Sequence, residues 1–179
     1  NSGGLWFFLW LLSFSLPLVP YSVLLWGNNF LDRYLLLHLL GIGQVSVYAV
    51  AYSLAAIGGL VYAVLGFVLY PYLADRWNQD DRHGAGEVLH RATQHYVTLL
   101  VPFVAMLTIL GAPITRVVAT QVYLSSWPVL VLLGIGIGLF GFYQLNLYST
   151  LLAGRMRANF GIVLVAIASN LALNVGLIP

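Results

Sequence analysis

The chain has 179 residues, of which 61% are hydrophobic and 7% are charged, and its mean hydropathy is +0.93. Ordinary globular domains carry about 25% charged residues, so this composition excludes a domain whose whole surface faces water. The absence of cysteine excludes disulfides and cysteine-bound metals. A net charge of +2, scattered along the chain, excludes a nucleic-acid-binding surface.

The charged residues divide the chain into five stretches that contain no Asp, Glu, Lys or Arg. These stretches are 1–31, 34–74, 92–115, 117–154 and 158–179. Each one is at least as long as the roughly 20 apolar residues that a helix needs to cross a hydrocarbon core of about 30 Å. Because a charge at mid-membrane costs at least about 2.5 kcal/mol, the pattern predicts an all-α integral membrane protein with about five transmembrane helices.

We predict five helices that together form one transmembrane unit over residues 1–179. Their predicted ranges are 6–39, 45–74, 89–111, 128–152 and 159–178. The hydrophilic segment 75–88 is expected to be a cytoplasmic loop, and 114–127 a short re-entrant or interfacial helix with a turn.

Proline and glycine mark the expected kinks and ends of these helices. Pro17 and Pro20 should kink the first helix, because each lacks an N–H and its ring clashes with the preceding turn. We expect Gly41-Ile42-Gly43 to form a turn, Pro71 to mark the exit of the second helix, and Gly111-Ala112-Pro113 to end the third.

The arginines predict the orientation. Two connections on one side of the membrane, 75–91 and 153–158, contain five of them, whereas the opposite connections contain only Arg116. Since cytoplasmic loops carry the excess of positive charge, these two connections are expected in the cytoplasm. The N-terminus of the chain is then cytoplasmic and Pro179 lies outside. We expect a multi-pass protein of a bacterial-type inner membrane.

A polar stripe in the first helix is the main candidate site. Asn28 lies four residues before Asp32, and Asn29 lies four before Arg33, so each pair shares a helical face. Ionisable groups inside a membrane usually face a cavity and mark a substrate or ion path, which is the interpretation that we favour. The alternative is a helix end whose side chains extend to water at the outer interface. His38, further along, is interpreted as interfacial.

Two further groups of polar residues lie in the last two helices. Tyr143 and Asn146 fall in the second half of the fourth helix, and Asn170 and Asn174 share a face of the fifth. Amides buried in lipid must find partners. These side chains either line an aqueous cavity or join helices by hydrogen bonds, and the sequence does not decide between the two.

Motifs for other chemistries are weak. The string Gly136-Ile137-Gly138-Leu139-Phe140-Gly141 matches G-x-G-x-x-G, but no acidic residue follows it, as a dinucleotide site would require. We interpret Gly134, Gly138 and Gly141 as a small-residue packing face. His83, His90 and His95 lack metal-ligand spacing, and no nucleophile motif is present. The sequence therefore predicts no catalytic residue, no metal and no cofactor.

The order of several strings resembles the second half of a polysaccharide flippase of the multidrug/oligosaccharidyl-lipid/polysaccharide exporter superfamily. At the start, the strings are Leu16-Pro17-Leu18-Val19-Pro20, Trp26, Asp32-Arg33-Tyr34, Gly41 and Val47-Tyr48-Ala49-Val50-Ala51-Tyr52. Near the end, they are Leu151-Leu152-Ala153-Gly154-Arg155 and Asn170-Leu171-Ala172-Leu173-Asn174-Val175-Gly176-Leu177-Ile178-Pro179. The resemblance covers nearly the whole chain. It implies helices seven to eleven of a twelve-helix exporter, that is, most of its C-terminal lobe. The chain also starts without Met and stops directly after an apolar run, and we expect it to be an internal or C-terminal piece of a longer protein.

The resemblance also implies a function. Two helical lobes would enclose a cavity that opens alternately to each side and passes a polyprenyl-pyrophosphate-linked oligosaccharide outward. Arg33 would be a cavity cation that pairs with pyrophosphate, and Asp32 would orient it or couple to an ion, H⁺ or Na⁺. The partners implied are the lipid-linked oligosaccharide, membrane lipids and the missing N-terminal lobe of the same chain.

Three alternatives stay open. A drug or organic-cation antiporter of the same superfamily would prefer acidic and aromatic cavity groups to Arg. A membrane enzyme acting on lipid-linked sugars would need a long polar outer loop, whereas the longest outer connection here has about 15 residues and one Arg. A packing subunit without transport of its own would not need an intramembrane Asp-Arg pair.

Overall fold

The computed structural model describes residues 4, 6–9, 12, 16, 18–119 and 121–177. Apart from turns and two short 3₁₀ segments, Ala56–Gly58 and Gln121–Ser126, these residues form α-helices. Residues 4, 6–9 and 12 are helical and Leu16 lies in a turn. The long helices are α1 (Leu18–Leu40), α2 (Ile42–Ala55), α3 (Gly59–Asn78), α4 (Arg82–Val118), α5 (Trp127–Leu152) and α6 (Met156–Leu177).

Four segments of the described chain are long and apolar enough to cross a membrane. They are Ile42–Asn78, Arg82–Val118, Tyr123–Leu152 and Ala158–Gly176. The prediction of an all-α integral membrane protein is thereby confirmed. Helix α1 is not among the four, because the polar residues Asn28, Asn29, Asp32 and Arg33 lower its apolar character.

The predicted loop 75–88 is wrong, since most of it is helical. Helix α3 continues through Pro71 to Asn78, and α4 begins at Arg82. Only three residues connect the two helices, and Asp80 adopts a positive φ of 59° in this turn. Such a tight reversal is possible because Asp81 caps α4, accepting a 2.8 Å hydrogen bond from the Gly84 N–H. With this cap, the segment forms a helical hairpin and not a loop.

The predicted end of the third helix at Gly111-Ala112-Pro113 is also wrong. Helix α4 runs on to Val118 with Pro102 and Pro113 inside it, as packed membrane helices allow. Gly111 is buried because the indole of Trp127 packs directly against it. The predicted short helix over 114–127 is reduced to the 3₁₀ segment Gln121–Ser126.

The predicted turn Gly41-Ile42-Gly43 is reduced to Gly41, because α2 begins at Ile42. Gly41 ends α1 with φ +82°, and Gly154 follows α5 with φ +69°, a backbone conformation that glycine adopts without strain. Pro20 lies in the first turn of α1, where the missing N–H would have no intrahelical partner. It therefore need not kink the helix, and Pro17 lies outside the described residues.

The chain divides into two compact units, one of Asn1–Ile42 with Arg155–Pro179 and one of Gly43–Gly154. In the second unit, α3, α4 and α5 pack around a core that includes Leu73, Tyr96 and Leu145. In the first, α1 packs against α6.

The small-residue packing face predicted in α5 is confirmed. Gly134, Gly138 and Gly141 are all buried. Leu107, Leu100 and the Tyr96 hydroxyl pack against them in that order. Because the contacting residues descend along α4 as the glycines ascend along α5, the two helices run antiparallel. Their backbones approach closely at each glycine.

Candidate functional site

The polar stripe of α1 meets a polar stripe of α6. Asp32 is half-buried, and its Oδ1 accepts a 2.8 Å hydrogen bond from Nδ2 of Asn174. These residues lie 142 positions apart in the sequence. The structure thus brings together two of the predicted polar groups within the first compact unit, and the sequence analysis had not paired them.

A second hydrogen bond extends this cluster along α6. The Asn174 Nδ2 also donates to the Asn170 Oδ1 at 2.6 Å, so one amide group uses both of its N–H bonds on acceptors of the cluster. Both asparagines are half-buried. We call Asp32, Asn170 and Asn174 the polar cluster. A carboxylate joined in this way holds α1 against α6, whatever further role its charge has.

The other residues of the α1 stripe lie beside the polar cluster in sequence. Arg33 follows Asp32, is half-buried and has a buried Nε atom. Asn28 lies one turn before Asp32, and its buried Oδ1 accepts no hydrogen bond from the described residues. The side chain of Asn29 lies outside the described part. A guanidinium, a carboxylate and an unused amide oxygen therefore occur within six residues of one helix.

Tyr143 and Asn146 do not belong to this compact unit. They lie in the second unit, Gly43–Gly154. The Asn146 Nδ2 donates to the carbonyl of Phe142 in its own helix at 2.8 Å. The ring centre of Tyr143 lies 6.1 Å from that of Phe140. This local bond uses one N–H of the Asn146 amide within α5, and the two options offered by the sequence stay predictions.

His38 makes its contacts within its own helix. Nδ1 of His38 donates to the carbonyl of Tyr34 at 2.9 Å, and the side chain is exposed. The rings of the two residues lie 4.1 Å apart. Within the described ranges, no group of three or more His, Asp or Glu side chains could hold a metal ion.

This geometry defines a class of protein: a multi-pass helical membrane protein with a charged, hydrogen-bonded cluster on its helices. The chain belongs to the polysaccharide biosynthesis protein family, whose model matches residues 6–128. The match includes Asp32 and Arg33 and ends before Asn170 and Asn174. No curated protein and no solved structure matches the chain. The family predicted from the residues is therefore confirmed, and the chain is a membrane protein of polysaccharide biosynthesis.

Proposed function

We propose that the protein moves a polyprenyl-pyrophosphate-linked oligosaccharide from the cytoplasmic to the outer leaflet by alternating access. The observation that carries this proposal is the polar cluster next to Arg33, in a membrane protein of a polysaccharide biosynthesis family. Ionisable residues in membrane helices usually mark a substrate or ion path. The protein would act as a transporter and not as an enzyme.

The chemistry of the substrate matches the charges of α1. A sugar diphosphate headgroup cannot cross hydrocarbon unaided, because its charges and hydroxyls would lose their hydration. The guanidinium of Arg33 can pair bidentately with a pyrophosphate. Asp32 sits beside it in sequence and is fixed by Asn174, so it can limit the positions that Arg33 samples. Its carboxylate is also the group on this stripe that could couple transport to H⁺ or Na⁺.

The proposal places the protein in the cytoplasmic membrane of a bacterial-type cell. Its partners would be the lipid-linked oligosaccharide, the surrounding lipids and an N-terminal lobe of the same chain. Movement of α1 relative to such a lobe would open the path to each side in turn.

Replacement of Arg33 tests the proposal. Arg33→Ala and Arg33→Lys are made in the full-length protein in cells that need export of lipid-linked sugar, and surface polysaccharide is measured at equal membrane levels. Arg116→Ala is the matched control, because Arg116 is an exposed arginine near the end of α4. We expect loss of export with Arg33→Ala, partial export with Arg33→Lys and normal export with the control. Normal export with both Arg33 variants would contradict the role of Arg33.

A further inference from the structure

The buried apolar residues of the second compact unit form two separate clusters. One cluster lies toward the tight turn between α3 and α4, and its buried members are Leu69, Leu73, Ala85, Tyr96 and Leu145. The other lies away from that turn, and its buried members are Ala51, Ala55, Leu107 and Leu130. We call the parts of the unit around these clusters the proximal half and the distal half. Because close packing makes each cluster stiff, the unit can bend most easily between them.

Contacts between helices show the depth at which the two halves meet. The ring of Phe103 packs directly against Gly58, where α2 passes into α3. The side chain of Ile137 on α5 packs against the neighbouring Gly59. Between residues 100 and 103, α4 leaves the proximal cluster and reaches the distal one. All of these positions therefore lie at one depth of the unit, which we call the boundary level.

Each helical segment that crosses the boundary level has a weak point there. The segment Ile42–Asn78 contains the 3₁₀ turn Ala56–Gly58, and a 3₁₀ stretch has poorer hydrogen-bond geometry than an α-helix. Helix α4 contains Pro102, which has no N–H to donate to the carbonyl of residue 98. Helix α5 has a glycine at every second position from 134 to 138. Stretches of 3₁₀, prolines and glycines are the features at which helices kink.

We infer that the second compact unit bends at the boundary level, with the proximal and distal halves moving as two rigid bodies. The three weak points coincide with the depth at which the core is divided, so a bend there disrupts neither buried cluster. The bend is a property of helices α2 to α5 and does not depend on the proposed substrate. In the proposed transporter, it allows one end of the unit to move while the other end keeps its packing.

The geometry of α3 gives the size of the expected movement. Phe67 lies nine residues after Gly58, about 14 Å along the helix. A bend of about 20°, which is a typical lower limit for a proline kink, displaces Phe67 sideways by about 5 Å. Such a bend changes distances between the two halves and leaves distances within each half unchanged.

Distances between paired spin labels test the inference, since this chain contains no cysteine of its own. The labels are attached in a cysteine-free background of the full-length protein, and the distance distributions are measured by double electron–electron resonance. The pair across the boundary level is Phe67→Cys with Leu132→Cys, at positions that are 86% and 69% exposed. The pair within the distal half is Gln44→Cys with Leu132→Cys. We expect the distribution across the boundary to be broader by about 5 Å.

Pro102→Ala tests the location of the bend. Alanine supplies the missing N–H and favours helix, so the distribution across the boundary should become narrower. Gly136→Ala should narrow it as well, and it is tolerated because a Cβ at Gly136 would have nothing within 4 Å. It serves as the second variant if Pro102→Ala does not fold. Pro113→Ala is the matched control, because Pro113 is another exposed proline of α4 that lies away from the boundary level.

Each outcome decides the inference. A distribution across the boundary that is as narrow as the one within the distal half would overturn it. Equal narrowing by Pro102→Ala and Pro113→Ala would overturn the location of the bend. Failure of the proposed function is a separate result: normal export by the Arg33 variants would contradict that function and would leave the label distances unchanged.

Discussion

The Tyr96 hydroxyl donates a 2.7 Å hydrogen bond to the main-chain carbonyl of Gly138. Tyr96 is fully buried, and Gly138 is buried as well. The bond joins α4 to α5 at positions 42 residues apart. It places a polar group of one helix on the backbone of the next, in the core that includes Leu73 and Leu145.

We expect Tyr96→Phe to lower the free energy of unfolding by about 1 kcal/mol, the usual net value of one hydrogen bond. The ring is retained, so no cavity beyond the hydroxyl is made. The thermal unfolding midpoint in detergent micelles measures the effect. Tyr72→Phe is the control, since Tyr72 is 65% exposed, and its midpoint should equal that of the unchanged protein. Equal midpoints for both variants would contradict the prediction.

The glycines of α5 allow a second test of the same packing. A Cβ at Gly141 would meet the Tyr96 hydroxyl and the Tyr62 ring, whereas a Cβ at Gly136 would have nothing within 4 Å. Gly141→Ala should destabilise by about 1–3 kcal/mol through overpacking. Gly136→Ala should be neutral, or stabilising by up to about 1 kcal/mol, because alanine favours helix. Similar unfolding midpoints for the two variants would contradict the described contacts.

The charge pattern allowed the fold class to be predicted, because the physics of the bilayer acts on each residue separately. A charge-free run of sufficient length predicts a spanning helix without knowledge of its neighbours. The packing face of Gly134, Gly138 and Gly141 could likewise be predicted from sequence spacing alone, without knowledge of the residues that pack against it.

The missed features depend on contacts that sequence spacing does not contain. Pro71 and Pro113 were expected near helix ends, yet both lie inside helices, because packing outweighs local preference. For the candidate site, the two stripes were predicted separately, but nothing in their spacing shows that Asn174 reaches Asp32. The roles of these residues in transport stay predictions.

The bond between Asp32 and Asn174 allows the structural role of the carboxylate to be separated from its charge. Asp32→Asn keeps an Oδ1 that accepts from Asn174, whereas Asn174→Ala removes the donor. We expect Asn174→Ala to lower the free energy of unfolding by about 1 kcal/mol and Asp32→Asn to change it less. The unfolding midpoint and the membrane level of each variant provide the measurement.

Export measured on the same two variants then tests the charge itself. If the carboxylate serves transport, Asp32→Asn should reduce surface polysaccharide while its membrane level stays normal. Normal export by Asp32→Asn, with loss only in Asn174→Ala, would leave Asp32 a structural acceptor and remove it from the transport path.

Asp81, which caps α4 at the tight turn, should make stability depend on pH. The hydrogen bond from the Gly84 N–H, followed by that from Arg76 at 2.7 Å, lowers the pKa of Asp81 below its ordinary value of 3.8. Because the pKa of Asp81 is lower in the folded state, its carboxylate stabilises the fold. This stabilisation is fully present above pH 3.8 and is lost as the pH falls through the folded-state pKa.

Asp81→Asn removes this charge while keeping an oxygen that can accept from Gly84. At pH 7 its unfolding midpoint should lie below that of the unchanged protein, and the difference should shrink as the pH is lowered below 3.8. Asp80→Asn is the matched control, since the Asp80 side chain is 87% exposed and pairs with Arg82 two residues away. The unfolding midpoint of Asp80→Asn should differ less from that of the unchanged protein, and this difference should change less with pH. A difference for Asp81→Asn that stays constant from pH 7 to below the folded-state pKa would show that the carboxylate does not stabilise the turn through its charge.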